Sequence, residues 1–178
     1  AEVQRQVHER FGEIIVYHED QVDALAQLSR STRRKLNCAI RMPALLTHDL
    51  WRIWSTIDAG ALKALCLDAV DFRYISAEDD LFLAGEQSSE ALCIAHGQLC
   101  YTQTPSTSMV HNTVQKLVDK SAWVCEAALW CKWVTVGSMA TMSMSKVFSV
   151  DADKMWSLVK ETPSVRRIST LYARNFHK

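Results

Sequence analysis

Within residues 123 to 136, WVCEAALWCKWVTV, Glu126 is the one carboxylate and Lys132 the one cation in an otherwise uncharged run. A carboxylate there can accept a pair of hydrogen bonds from ribose or another diol. It can equally be satisfied by backbone N–H groups at the start of a helix, where the dipole favours negative charge. Lys132 can act as a point charge toward a phosphate or stand as a solvated loop lysine, and it cannot make the planar two-point contact of an arginine. Trp123, Trp130 and Trp133 can stack on a flat ligand or plug a cavity from inside. Trp51, Trp54 and Trp156 read as anchors of helix packing.

Other chemistry finds little support. His8, His18, His48, His96, His111 and His177 do not cluster, so no nucleophile and base can be paired by spacing and an enzyme is not expected. Cys38, Cys66, Cys93, Cys100, Cys125 and Cys131 form no CxxC pair and no metal-site pattern. They read as buried, reduced thiols of a cytosolic protein, with no metal and no cofactor. The basic run Arg30, Arg33, Arg34 and Lys35 is either a solvated helix face or a contact with a neighbour's acids such as Glu19 or Asp20.

The elements that must position these residues fall into three blocks. To about residue 69 apolar residues recur at helical spacing, as in Val22, Leu25, Leu28 and then Leu36, Ile40. Helix starts are expected at Ser29 to Thr32 and at Thr47 to Asp49, where Ser, Thr and Asp can cap. A helix over Ala59 to Ala69 should dock through Leu62, Leu65 and Cys66. From residue 70 the period shortens to two, with a turn at His96-Gly97, a polar loop over residues 103 to 113, and strand character from Val134 to Val150. Asp151 and Asp153 can cap a helix to about Lys160, and Pro163 suits the first turn of another carrying Val165, Ile168, Leu171 and Tyr172.

The chain has 178 residues, is 48 % hydrophobic, and balances 20 basic against 20 acidic residues. Such a chain can bury a core, and its zero net charge argues against nucleic acid as a partner. No run approaches the roughly 20 apolar residues of a membrane helix, so this segment should not insert directly. The start at Ala1 reads as the start of a fragment.

Residues 72 to 102 resemble, without gaps, the first half of the cyclic nucleotide-binding roll of eukaryotic ion channels, through Asp79, Gly85, Ile94, His96 and Gly97. RIWSTIDAGALKAL resembles the helix leading into that roll, Glu9 to Leu46 resembles the distal C-linker, and SKVFSVDADKMWSLVKETPSVRRI resembles the last strand and closing helices. The 123 to 136 run is similar to the phosphate-binding cassette, whose glutamate accepts the ribose 2′-hydroxyl and whose arginine pairs with the cyclic phosphate. Here Cys125 falls on the cassette glycine, and Thr135-Val136-Gly137 falls where the family has Arg-Thr-Ala.

The resemblance implies an α+β fold: N-terminal helices, an eight-stranded antiparallel β-roll of jelly-roll type, and two closing helices. It implies C-linker-like helices over 1–50 and a binding-homology domain over 51–178. The ligand-binding residues it carries over are Glu126, Ala127, Ala128, Thr135 and Val136, with Lys132 as the substitute cation. Losing one charge-assisted bond to phosphate forfeits about 1.5 to 3 kcal/mol, roughly 10- to 150-fold in affinity. The departures resemble those of ether-à-go-go type channels, which keep the fold without using a cyclic nucleotide. The expected function is thus a regulatory domain on the cytoplasmic face of a membrane, coupling subunit assembly or ligand state to the gate of a tetrameric channel. Its partners would be the other subunits, with plugging by tryptophan fitting the missing arginine. The alternative is a working cAMP or cGMP sensor, in a channel or in a soluble kinase-regulatory-like protein.

Overall fold

In the computed structural model residues 27–176 are described. The chain divides after Arg33 into two units, and the site lies wholly in the second. In the first, Ser29 Oγ accepts the Thr32 backbone N–H at 3.1 Å, which starts helix α1 (Arg30–Leu45) where a cap was expected. Glu19 and Asp20, the acids considered for the basic run, lie outside the described residues.

Helices α2 (Asp49–Ile57) and α3 (Ala59–Asp68) follow. Trp51 and Trp54 of α2 are fully buried, and Leu62, Leu65 and Cys66 of α3 pack beside them as their spacing predicts. An indole in such a place removes on the order of 200 Å² from water, a gross gain of about 5 kcal/mol before entropy is counted. Trp54 also donates from Nε1 to Ser169 Oγ at 3.1 Å. Arg41 of α1 donates to the carbonyl of Val70 at 2.6 Å, tying α1 to the first strand. The expected Ser, Thr or Asp cap of α2 is instead His48, whose Nδ1 accepts the Leu50 N–H at 3.2 Å.

Ten strands follow, all paired antiparallel: β1 (Val70–Ile75), β2 (Asp80–Phe82), β3 (Gln87–Ser88), β4 (Glu90–His96), β5 (Leu99–Gln103), β6 (Val114–Val118), β7 (Trp123–Val124), β8 (Trp133–Val134), β9 (Ser138–Thr141) and β10 (Ser145–Asp151). Eight make two four-stranded sheets, in the orders β1-β10-β4-β7 and β2-β9-β5-β6, and β3 with β8 forms a separate ribbon. The eight-stranded roll is therefore present with one ribbon added. The strand character expected from Val134 to Val150 is carried by β8, β9 and β10.

Two glycines are required by close approach. Gly97, at φ 93°, turns β4 into β5, and a Cβ there would fall 2.1 Å from Ser145 Oγ. A Cβ on Gly137 would fall 2.6 Å from the Thr102 carbonyl and 2.7 Å from the Tyr101 ring.

Helix α4 (Ala152–Glu161) is capped by Asp151, which accepts the Lys154 N–H at 2.8 Å. Helix α5 (Pro163–Asn175) has its proline in the first turn. Its buried face differs from the expected stripe. Val165 and Ser169 are buried and Ile168 and Tyr172 partly so, while Leu171 is 42 % exposed. Ser169 is inside because it serves Trp54 and returns its own proton to the Val165 carbonyl. The thiols are also less uniform than expected. Only Cys66 and Cys93 are buried, and Cys131 is exposed.

Candidate functional site

The cassette run begins with β7 and turns sharply at Cys125, whose φ of 55° lies in the left-handed region that favours glycine. A 3₁₀ turn over Glu126–Leu129 follows, closed by Ala128 N–H to the Cys125 carbonyl at 2.9 Å. Ala127, Ala128 and Leu129 are buried beneath it. The small alanines let this turn lie against the sheet, so they act as spacers under Glu126 and present no polar side chain.

Glu126 points toward helices. Its Oε1 accepts the Tyr172 hydroxyl of α5 at 3.1 Å and lies 3.0 Å from Nε2 of His48 at the head of α2. The His48 contact is at ion-pair distance but poorly aligned for a linear hydrogen bond. Because Nδ1 already accepts from Leu50, the ring proton belongs on Nε2, facing the carboxylate. Burial and the Glu126 charge push the Tyr172 phenol up to about 12, so it stays a donor. One carboxylate oxygen thus joins a helix before the roll, the cassette, and the last helix. Around it Trp123 meets His48 edge-on at 4.9 Å, and Trp123 Nε1 donates to Thr47 Oγ1 at 2.8 Å.

A separate cleft of about 620 Å³ opens inside the roll, walled by Phe82, Tyr101, Trp123, Trp133, Val136 and Met139. Glu126, Ala127, Ala128 and Lys132 are not among its lining residues, whereas Thr135 and Val136 are. The structure therefore brings Thr135 and Val136 to the cleft, leaves Lys132 exposed, and turns Glu126 to the helices. The tryptophans do not plug it. Trp123 and Trp133 form walls, and Trp130 packs elsewhere, 5.4 Å from Tyr172 and 6.2 Å from Trp156.

Thr135 stands where the resemblance puts the arginine, and its hydroxyl is occupied. It donates to the Leu83 carbonyl at 2.5 Å and accepts the Glu86 N–H at 3.1 Å, cinching the 83–86 turn. Among the lining residues Lys116 is the single cation and Asp119 the single acid, the latter held by Gln98 at 2.9 Å. Burial raises the Cys125 thiol to about 11, and burial followed by Cys125 raises the Tyr101 phenol, so both remain neutral. Arg73 lines a smaller cleft of 190 Å³ and pairs with Glu90 at 3.4 Å. Among the described residues no group of three His, Cys, Asp or Glu could hold a metal ion, and no helix is long and apolar enough to cross a membrane.

Sequence reasoning missed His48 and Tyr172 as partners of Glu126. His48 has no place on the usual list of capping residues, and Tyr172 lies 46 residues from its carboxylate partner, so no local spacing announces the trio.

No protein-family model and no curated protein matches this chain. Solved structures do. A cyclic nucleotide-binding-like protein from Brucella abortus is 18 % identical over 64 % of this chain and 99 % of its own, with a TM-score of 0.49. The catabolite activator protein of Thermus thermophilus is 14 % identical over 61 % of this chain and 50 % of its own, at 0.47. The cAMP-bound PfPKA-R is 10 % identical over 70 % of this chain and 42 % of its own, at 0.57. The last of these carries the likeness: the chain has the helix, β-roll, helix fold of a cyclic nucleotide-binding domain.

Proposed function

We infer that this chain is a regulatory module that couples a cyclic nucleotide-binding-type roll to the helices on either side of it. Its setting would be the cytoplasmic face of a membrane, within a tetrameric ion channel whose other subunits are its partners, and cyclic nucleotide binding would be weak or lost. The coupling rests on one observation, the sharing of Glu126 Oε1 between His48 of the α2 cap and Tyr172 of α5. A carboxylate that answers to two helices converts a shift of the cassette into a shift of both. The channel setting is supported by the resemblance of residues Glu9–Leu46 and RIWSTIDAGALKAL to a C-linker and its following helix. Weak nucleotide binding is supported by Thr135 in place of an arginine and by the spent Thr135 hydroxyl. A ligand would drive the module only by binding its two states with different affinity.

Hydrogen exchange on the E126Q variant tests the coupling. Faster exchange across α5 with unchanged β4 and β10 amides is the expected result. Unchanged α5 protection would sink the reading. Calorimetry with cAMP and cGMP tests the second claim, and micromolar affinity for either would replace it with the sensor reading, which the open 620 Å³ cleft favours.

A further inference from the structure

We propose that the cleft of the roll is a binding site for an uncharged, flat, aromatic small molecule, taken against the rings of its wall in place of an anionic cyclic phosphate. The proposal depends on the regulatory reading only for what binding would accomplish; occupancy of the cleft is a separate matter. Three observations converge on it. The volume, about 620 Å³, lies within the roughly 300 to 1,000 Å³ typical of small-molecule sites.

The walls specify the chemistry. Phe82, Tyr101, Trp123 and Trp133 offer four rings, and ring faces prefer offset or edge contact with another ring. Trp123 spends its N–H on Thr47, so it offers the ligand no donor. An anion would need paired, desolvated donors. The Thr135 proton goes to a carbonyl, and Lys116 lies on the exposed edge strand β6, three residues before Asp119. Gln103, bonded to Tyr101, and the neutral Cys125 thiol, bonded to Ser88, are uncharged polar groups of the wall that neighbours already serve.

The rim gives the third observation. Val114, Leu117 and Val136 are 47 %, 52 % and 39 % exposed, and all three line this cleft. Apolar side chains gathered at one mouth are what a buried apolar ligand would cover.

The probe is N-phenyl-1-naphthylamine, a neutral two-aryl amine that fluoresces on leaving water. The expected result is saturable binding at one site per chain, no displacement by excess cAMP or cGMP, and little change in K116A. V136W, which fills the mouth from a half-exposed position, should weaken the probe by at least about tenfold. L117W, placed on the edge strand, serves the same purpose should V136W misfold. Unsaturable uptake, indifference to both tryptophan variants, displacement by a cyclic nucleotide, or loss in K116A would each overturn the proposal. The exchange behaviour of α5 in E126Q is unaffected by any of these results, so the two readings fail separately.

Discussion

The Tyr172 hydroxyl donates to Glu126 Oε1 at 3.1 Å, a bond that reaches from the closing helix to the cassette turn. It is a charge-assisted bond in a half-buried place, so Tyr172→Phe should cost about 1 kcal/mol. A urea melt is the check. In a cycle with Glu126→Ala the two losses should be less than additive, because each removes the same contact. Full additivity would mean that the bond contributes nothing in solution.

His48 does two jobs with its two nitrogens, capping α2 through Nδ1 and facing Glu126 through Nε2. His48→Ala should lose about 1 to 2 kcal/mol, chiefly from the cap and from a carboxylate left short of a donor. His48→Asn, able to cap but too short to reach Glu126, should recover part of that stability without restoring α5 protection in hydrogen exchange. Recovery of both would show that the cap alone matters.

Gly137 lies against backbone and ring at once. The Thr102 carbonyl cannot retreat without disturbing the β5-β9 pairing, in which Thr102 faces Ser138, and the Tyr101 ring would have to swing aside as well. Gly137→Ala should therefore destabilise by about 1 to 3 kcal/mol. Thermal melting by circular dichroism would reveal it, and an unchanged midpoint would contradict the crossing geometry.

Alkaline pH should unfold the protein through groups that the fold keeps protonated. Burial, with Cys38 adding to it, lifts the Cys66 thiol from 9.0 to about 12, burial lifts Cys125 to about 11, and burial with Glu126 lifts Tyr172 to about 12. In each case the folded value exceeds the unfolded one. The contribution is thus complete below about pH 9 and shrinks as pH rises, because the unfolded chain sheds its protons first. The melting temperature should decline from about pH 9 to 12, and Tyr172→Phe should flatten the upper part of that decline. A midpoint that holds steady over the range would refute it.

The element order was legible because it rests on local periods. Leu62, Leu65 and Cys66 at helical spacing, the His96-Gly97 turn, Asp151 at a cap and Pro163 in a first turn each encode their conformation within a few residues. The cassette was legible too, down to Cys125 at a position whose φ of 55° suits glycine. Less could be read where one side chain answers to a distant one. Leu171 belongs to the stripe by spacing, yet Ser169 goes inside because Trp54, 115 residues away, needs an acceptor.

The run WVCEAALWCKWVTV by itself determined that a lone carboxylate would sit at the start of a short helical turn, and that no arginine would accompany it. It could not determine where that carboxylate faces or whether the space beside it is filled. Both depend on surfaces that meet only after the sheets close. Tertiary packing turned Glu126 to His48 and Tyr172, and left a cleft of about 620 Å³ with Trp123 and Trp133 among its lining residues. Side-chain direction is set by which partners offer donors and volume, and those partners lie on elements far apart in the chain.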